Sequence, residues 1–329
     1  MVAMVRRMGF FAGQLDDAKG ARSSASWSAL ADNVLKGIDR SAPPSEQGRE
    51  AAIRFRSILN LNHGKTGVGE LIRPLLRNQG LLVMETSIPK SALEGCCFNV
   101  GREPNVRPCV FANSHSSTWF RRNEVLLHET AHAIFDLSND PVPLDFRSTD
   151  SSEEVSTAPI PNVSETRAQA FAQEVLVSGS VLNHYSNQFG INWDRLSATD
   201  LARLMAATHA EKKLVLRSAV DNGLLKTEMY SVHLQLDCKY VLSQFSSHQL
   251  NTREYLAKQA IQSPKWRSEN RTAKVGIRSL RLPVGYVQRV IDAANEGLIS
   301  YSKAAEMVMM DRYAFLDRFG DLISEIAVG

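Results

Sequence analysis

The stretch Asn123-Glu124-Val125-Leu126-Leu127-His128-Glu129-Thr130-Ala131-His132-Ala133-Ile134-Phe135-Asp136-Leu137 contains no proline or glycine and is apolar over most of its length. Such a composition predicts a buried helix. Positions four apart share one helical face, so His128 and His132 present two imidazoles to the same point. Glu129 lies beside them, within reach of a water at a shared metal ion. This is the His-Glu-x-x-His signature of zinc hydrolases, in which both histidines are ligands and the glutamate is the general base.

A third ligand is expected downstream. A polar loop runs from Ser138 to about Asn162, and a helix starts near Ser164 and continues to Val177. Glu165, Ala168 and Ala172 fall on one face of it, and the two alanines let it lie close to the histidine helix. That approach would carry Glu165 to the metal. A simpler role for Glu165 is also open, because acidic residues are favoured in a first turn by the helix dipole.

Upstream, Trp27 to Asp39 reads as a helix, and another follows Ser45 with Ile53, Ile58 and Leu59 as its apolar positions. A third spans roughly Val68 to Arg77. Residues 1 to about 26 show weak periodicity and are expected to be loosely ordered. Gly64-Lys65-Thr66 is excluded as a phosphate loop because Leu59 stands where glycine is required. Strands are expected at Leu81–Met84, Cys96–Val100 and Cys109–Asn113, between glycine and proline punctuation. Helices, a small sheet and then the histidine helix make an α+β, zincin-like order.

These residues reach a known family. His128-Glu129-Thr130-Ala131-His132 followed by Glu165-x-x-Ala168-x-x-Phe171-Ala172-x-x-x-Leu176 resembles the ImmA/IrrE family of bacterial metallopeptidases. Phe111-Ala112-Asn113 and Arg121-Arg122-Asn123 are similar to that family's approach to the motif. The likeness spans roughly residues 45 to 225. Gln169 replaces the usual asparagine and Val177-Ser178 a frequent Met-Pro, and neither departure touches a ligand position. The resemblance implies Zn²⁺ on His128, His132 and Glu165, Glu129 as the catalytic base, and cleavage of a helix-turn-helix repressor. The sub-group it most resembles accompanies anti-phage CBASS operons, which implies single-stranded DNA as the activating signal. The competing class is a non-enzymatic DNA-binding regulator with a structural or vestigial metal. Retention of Glu129 argues against it, because a structural metal needs ligands but no base.

Arg107-Pro108-Cys109 offers a second layer, one of control. A thiolate at Cys109 reaching the open metal position would hold the enzyme latent. The context is similar to the cysteine switch of matrix metalloprotease prodomains. The alternative is a buried, inert strand cysteine. His115, His184 and Tyr185 are candidates for the donor that a developing oxyanion requires.

Beyond the peptidase region, Ser197-Ala198-Thr199-Asp200 and Thr208-His209-Ala210-Glu211 have capping-box spacing around two short helices. They form a helix-turn-helix or winged-helix-like unit that either contacts DNA through Lys212, Lys213 and Arg217 or closes the scaffold. Arg253 to Arg289 holds nine basic residues against two acidic ones, in a chain whose net charge is +3. Arg267, Arg271 and Lys274, with Tyr255, Trp266 and Tyr286 interleaved, suit single-stranded nucleic acid. A solvated face explains the same charges. The last element, from Ile299 to Val308, and helices to about Ile326 offer a dimer or substrate surface, with no oligomeric state implied.

The organisation expected is therefore an N-terminal extension (1–44), a metallopeptidase core (45–195), the helix-turn-helix-like unit (196–250) and a basic helical C-terminal domain (251–329). At 329 residues, 43% hydrophobic and 22% charged, the chain has the composition of a globular protein with room for two or three domains. Four cysteines, two of them adjacent (Cys96 and Cys97), do not form a disulfide framework. With no signal segment and no long apolar run, a cytoplasmic location without membrane contact is expected.

Overall fold

A computed structural model describes residues 9–11, 13–15, 24–61, 68–86, 93–100, 106–114, 117–137, 163–246, 273–274, 281–282 and 284–320. Residues 9–11 and 13–15 are helical, and three longer helices follow: α1 (Ser24–Leu35), α2 (Pro44–Ile58) and α3 (Val68–Asn78). The strands β1 (Leu82–Thr86), β2 (Gly95–Val100) and β3 (Arg107–Asn113) follow, then the histidine helix α4 (Trp119–Phe135) and α5 (Val163–Val177). The order continues with α6 (Gly179–Phe189), α7 (Ala198–Thr208), α8 (Lys212–Asp221), α9 (Thr227–Leu234) and α10 (Lys239–Phe245). A two-residue ladder of β4 (Ala273–Lys274) with β5 (Arg281–Leu282) precedes α11 (Val284–Asn295), α12 (Tyr301–Met307) and α13 (Arg312–Phe319). The described residues are thus mostly helical, with a small three-stranded sheet. Among the described residues no helix is long and apolar enough to cross a membrane.

In that sheet β3 is central, parallel to β1 and antiparallel to β2. Cys97 pairs with Val110 and Gly95 with Ala112, whereas Cys96 pairs with Phe111 and Phe98 with Cys109. Successive side chains alternate between faces, so these two sets point opposite ways. Cys97, Val110 and Ala112 join a core with Val125, Leu126 and Leu127 of α4 and Phe171 of α5. Phe98, Cys109 and Phe111 join a second core built with Phe11, Leu15, Val287, Ile291, Phe315 and Phe319. Helices from the C-terminal region therefore cover the face of the sheet that α4 leaves.

The helix carrying Glu165 is seated by small residues. A β-carbon on Gly48 of α2 would lie 2.2 Å from the backbone oxygen of Arg167, so only glycine lets α2 come this close to α5. Ala51, Ala52, Ala168 and Ala172 continue the tight crossing, each essentially without exposure. The buried apolar face of α2 is thus Ala51, Ala52 and Phe55. The expected positions Ile53 and Ile58 are 56% and 46% exposed. At the far end of α5 the buried Arg56 guanidinium donates to the Val175 carbonyl at 2.5 Å, a cation satisfying the carbonyl end of a helix.

Other expectations shift in ways that physics explains. The helix expected from Trp27 starts at Ser24, and Phe11 and Leu15, in helical residues before it, are buried rather than loosely ordered. Ser197 and Asp200 form the reciprocal capping box at the start of α7. The second expected box is absent: Thr208 ends α7, His209 adopts a left-handed turn (φ 55°), and Glu211 precedes α8 without a side-chain cap.

The boundary expected at 196 crosses a continuous core, since Leu201, Leu214, Val215 and Leu242 pack in the same cluster as α4. Asn123 of α4 donates to the His209 carbonyl at 3.0 Å, tying the α7–α8 turn to the histidine helix. Lys212 donates to the Leu236 carbonyl at 2.7 Å, while Lys213 is exposed. These contacts suit a scaffold that closes around α4.

Candidate metal centre

Helix α4 begins where the Thr118 hydroxyl accepts the Arg121 amide at 2.9 Å, four residues earlier than composition suggests. Every residue from Arg122 to Ile134 is buried, so packing of the helix around them fixes where the imidazoles sit. His128 and His132 bring their Nε2 atoms to 3.1 Å from each other. Glu165, in the first turn of α5, sets Oε2 3.1 Å from His128 Nε2 and Oε1 3.1 Å from His132 Nε2. His128, His132 and Glu165 form a group that can hold a metal ion. Both histidine side chains are nearly covered, while that of Glu165 is 25% exposed, so the site opens past the carboxylate.

The electrostatics favour a cation here. Burial lowers the pKa of His132, but hydrogen bonds to Asp136 and Glu165 and the charge of Glu129 raise it further, to about 9. A proton and a metal ion compete for the same nitrogen, so the groups that raise this pKa also suit a cation bound there.

A ring of contacts lies behind the ligands. Asp136, which ends α4, sets Oδ2 2.8 Å from His132 Nδ1. The same oxygen accepts from the Ser164 hydroxyl at 2.8 Å, and Oδ1 accepts from the Arg167 guanidinium. The Ser164 Oγ is itself 3.2 Å from His132 Nδ1. Burial raises the Asp136 pKa, but the hydrogen bonds from His132 and Ser164 and the charge of Arg167 outweigh it and keep the carboxyl ionised. None of these three residues was among the sequence candidates. Asp136 is four residues beyond His132, a spacing that signals a shared helical face.

A shallow cleft reaches His128 and Glu129 and is lined besides by Glu94, Gly95, Arg121, Glu124 and Val125. Glu129 therefore shares a cavity with one of the metal-facing histidines. Arg121 bridges Glu94 at 2.6 Å and Glu124 at 2.7 Å. Burial lowers its pKa, but those two carboxylates more than compensate and keep it charged.

Cys109 is a correction to the sequence reading. It is wholly buried in the second core, on the face of β3 turned away from α4, and is not in the metal-facing group. The cysteine on the α4 side is Cys97, whose thiol is pushed well up by burial and by the charge of Glu129, so it is no thiolate. None of the four cysteines is in a disulfide.

Two oxyanion candidates also move away. Tyr185 packs with His184 on α6, and its charge neighbour is Arg56 at the far end of α5. Ten residues of helix, about 15 Å, separate that end from Glu165. His115, the loop 138–162, Gly64-Lys65-Thr66, Arg267 and Arg271 lie outside the described residues. Lys274 falls on β4, opposite Arg281. Comparisons with protein-family models, with curated proteins and with solved structures give no match.

Proposed function

We propose that this protein is a zinc-dependent endopeptidase with a zincin-like core, of the ImmA/IrrE type that the motifs resemble. The observation that carries this reading is the convergence of His128 Nε2, His132 Nε2 and the Glu165 carboxylate: the two nitrogens are 3.1 Å apart, and each lies 3.1 Å from one of the two carboxylate oxygens. Tetrahedral zinc with ligands at about 2.0–2.1 Å separates its donors by about 3.3 Å, so the spacing of the two nitrogens, and of each from a carboxylate oxygen, suits the ion. Two imidazoles and one carboxylate also make the donor set of catalytic rather than structural zinc.

A zinc ion held there supplies Lewis acidity, which lowers the pKa of a nearby water and polarises a carbonyl. His128 and His132 present their Nε2 lone pairs, and Glu165 offsets part of the positive charge. Glu129 accepts the proton of the attacking water as its oxygen bonds to the peptide carbonyl carbon. It then returns that proton to the amine nitrogen as the C–N bond breaks. Arg121 ties Glu94 and Glu124 together on the wall of the same cleft.

By the same resemblance, the substrate is a helix-turn-helix repressor and the activating signal single-stranded DNA. Glu129→Gln tests the reading. Parent protein is expected to bind about one zinc per chain and to cut a helix-turn-helix repressor, one encoded beside this chain being the first choice. The variant is expected to keep the zinc and lose cleavage by several orders of magnitude. Cleavage at the parental rate would overturn the role of Glu129. A parent that binds no metal would overturn the whole reading.

A further inference from the structure

Asp136 sits where two requirements of the metal site meet. Its carboxylate faces His132 Nδ1 at 2.8 Å. An ionised carboxylate only accepts hydrogen bonds, so it selects the imidazole tautomer with the proton on Nδ1. The lone pair is then on Nε2, the atom turned towards His128 and Glu165. The two oxygens of Asp136 also receive Ser164 and Arg167. Those residues stand one before and two after Glu165. The residue that orients one ligand therefore grips the turn that delivers another.

Arg167 strengthens the grip from a third element. Its guanidinium lies 4.3 Å from the Phe135 ring centroid and donates to Gln47 of α2 at 3.4 Å. The end of α4, the start of α5 and α2 thus converge on one carboxylate.

We propose that Asp136 is a positioning residue that preorganises the metal centre. It fixes the tautomer of His132 and, through Ser164 and Arg167, holds Glu165 in register with the two histidines. This rests on the metal-binding part of the function proposed above.

The contacts dictate which way an amide at this position would turn. Arg167 donates only, so the oxygen of an Asp136→Asn side chain stays towards it. The amide nitrogen then replaces Oδ2 and faces His132 Nδ1. Donating to that nitrogen favours the opposite tautomer, with a proton on Nε2 where the metal belongs. Asp136→Asn is therefore more damaging than its small change of shape suggests.

The test uses the full chain with Zn²⁺ and Co²⁺ as probes. Zinc affinity is measured by competition with a chromophoric chelator, and ligand geometry by the visible absorption of the cobalt-loaded protein. Asp136→Asn is expected to weaken zinc binding about 10- to 100-fold and to alter the cobalt spectrum. Ser164→Ala, which keeps the carboxylate, is expected to lose several-fold without a change of tautomer. Melting of the metal-free proteins, followed by circular dichroism, checks that each variant is folded. Parental zinc affinity and an unchanged cobalt spectrum in both variants would overturn the role of Asp136 while leaving the zinc reading intact. A parent that binds neither ion would overturn both.

Discussion

Gly95 and Glu129 stand so close that a β-carbon on residue 95 would lie 2.8 Å from the Glu129 Oε1 and 2.5 Å from a Val125 methyl. The edge strand β2 can approach α4 this closely only because residue 95 has no side chain. Gly95→Ala must displace either the strand or the carboxylate. Under the peptidase reading it is expected to cut hydrolysis about 10- to 100-fold, since a displacement of about 1 Å at a reacting group costs that much. Zinc content should be unchanged. An alanine variant as fast as the parent would show that β2 yields without moving Glu129.

Glu165 reaches the candidate metal site from a separate helix, so its removal tests the proposed ligand set directly. Glu165→Ala is expected to lower zinc affinity by more than about 100-fold, beyond the usual loss of an outer-shell partner. Chelator competition measures this. Unchanged affinity would move the search to Asp140, Glu153 and Glu154, which lie outside the described residues.

Cys109 should behave as a core residue. Its neighbours are apolar side chains of the second cluster, so Cys109→Ala leaves a small void and costs about 1 kcal/mol. Zinc affinity and any dependence on an activator should be those of the parent. A variant that cleaves without its activator would restore a latency role for this thiol and require β3 to rearrange.

Acid stability should depend on Glu85. Burial raises its pKa, but Arg73 and Arg122, at 2.7 and 2.9 Å, more than offset this and bring it down to about 2 from an ordinary 4.5. A depressed carboxylate contributes stability in full above its unfolded pKa and loses it as pH falls towards the folded value. Its contribution is therefore expected to fade between about pH 4.5 and pH 2. Glu85→Gln should cost about 2 to 4 kcal/mol near neutrality, because it leaves the buried Arg122 without its anion. Urea titrations at several pH values measure both effects. A parent–variant difference that stays constant from pH 7 to pH 2 would contradict the assignment.

The basic segment offers a separate test. If single-stranded DNA binds there, affinity should fall steeply with salt. Replacing Arg267, Arg271 and Lys274 together should then reduce the log–log slope by about two, at about 0.7 per phosphate contact. Binding that ignores salt would place the interaction elsewhere.

Much of the site is legible in the sequence, for a geometric reason. A four-residue spacing places His128 and His132 on one face without knowledge of the fold. Glu165 stands out because Ala168 and Ala172 mark the side of its helix that comes close to another. Asp136 has the same spacing from His132 but falls where the apolar run ends, and nothing local distinguishes a positioning carboxylate from a helix terminus. The face of β3 that Cys109 occupies is not legible at all. All seven residues of that strand are buried, so there is no alternation of polar and apolar side chains to say which face meets α4. Ile53 and Ile58 mislead for the opposite reason, because the crossing of α2 with α5 demands small residues and leaves the large ones outside.

Because β2 and β3 are covered on both faces, the sheet is a party wall shared by two tenants. A chain cut between Phe245 and Val284 would lose most of the cover on one side of that wall, leaving Cys96, Phe98 and Phe111 with only Phe11, Leu15 and Leu93 of their buried cluster outside the strands, while His128, His132 and Glu165 stayed in place. Such a fragment would hold every residue proposed to act on substrate and still be a poor object to purify. Its exposed strands would invite pairing with other chains. The last helices and the half that carries the candidate metal site are therefore inherited as one indivisible piece.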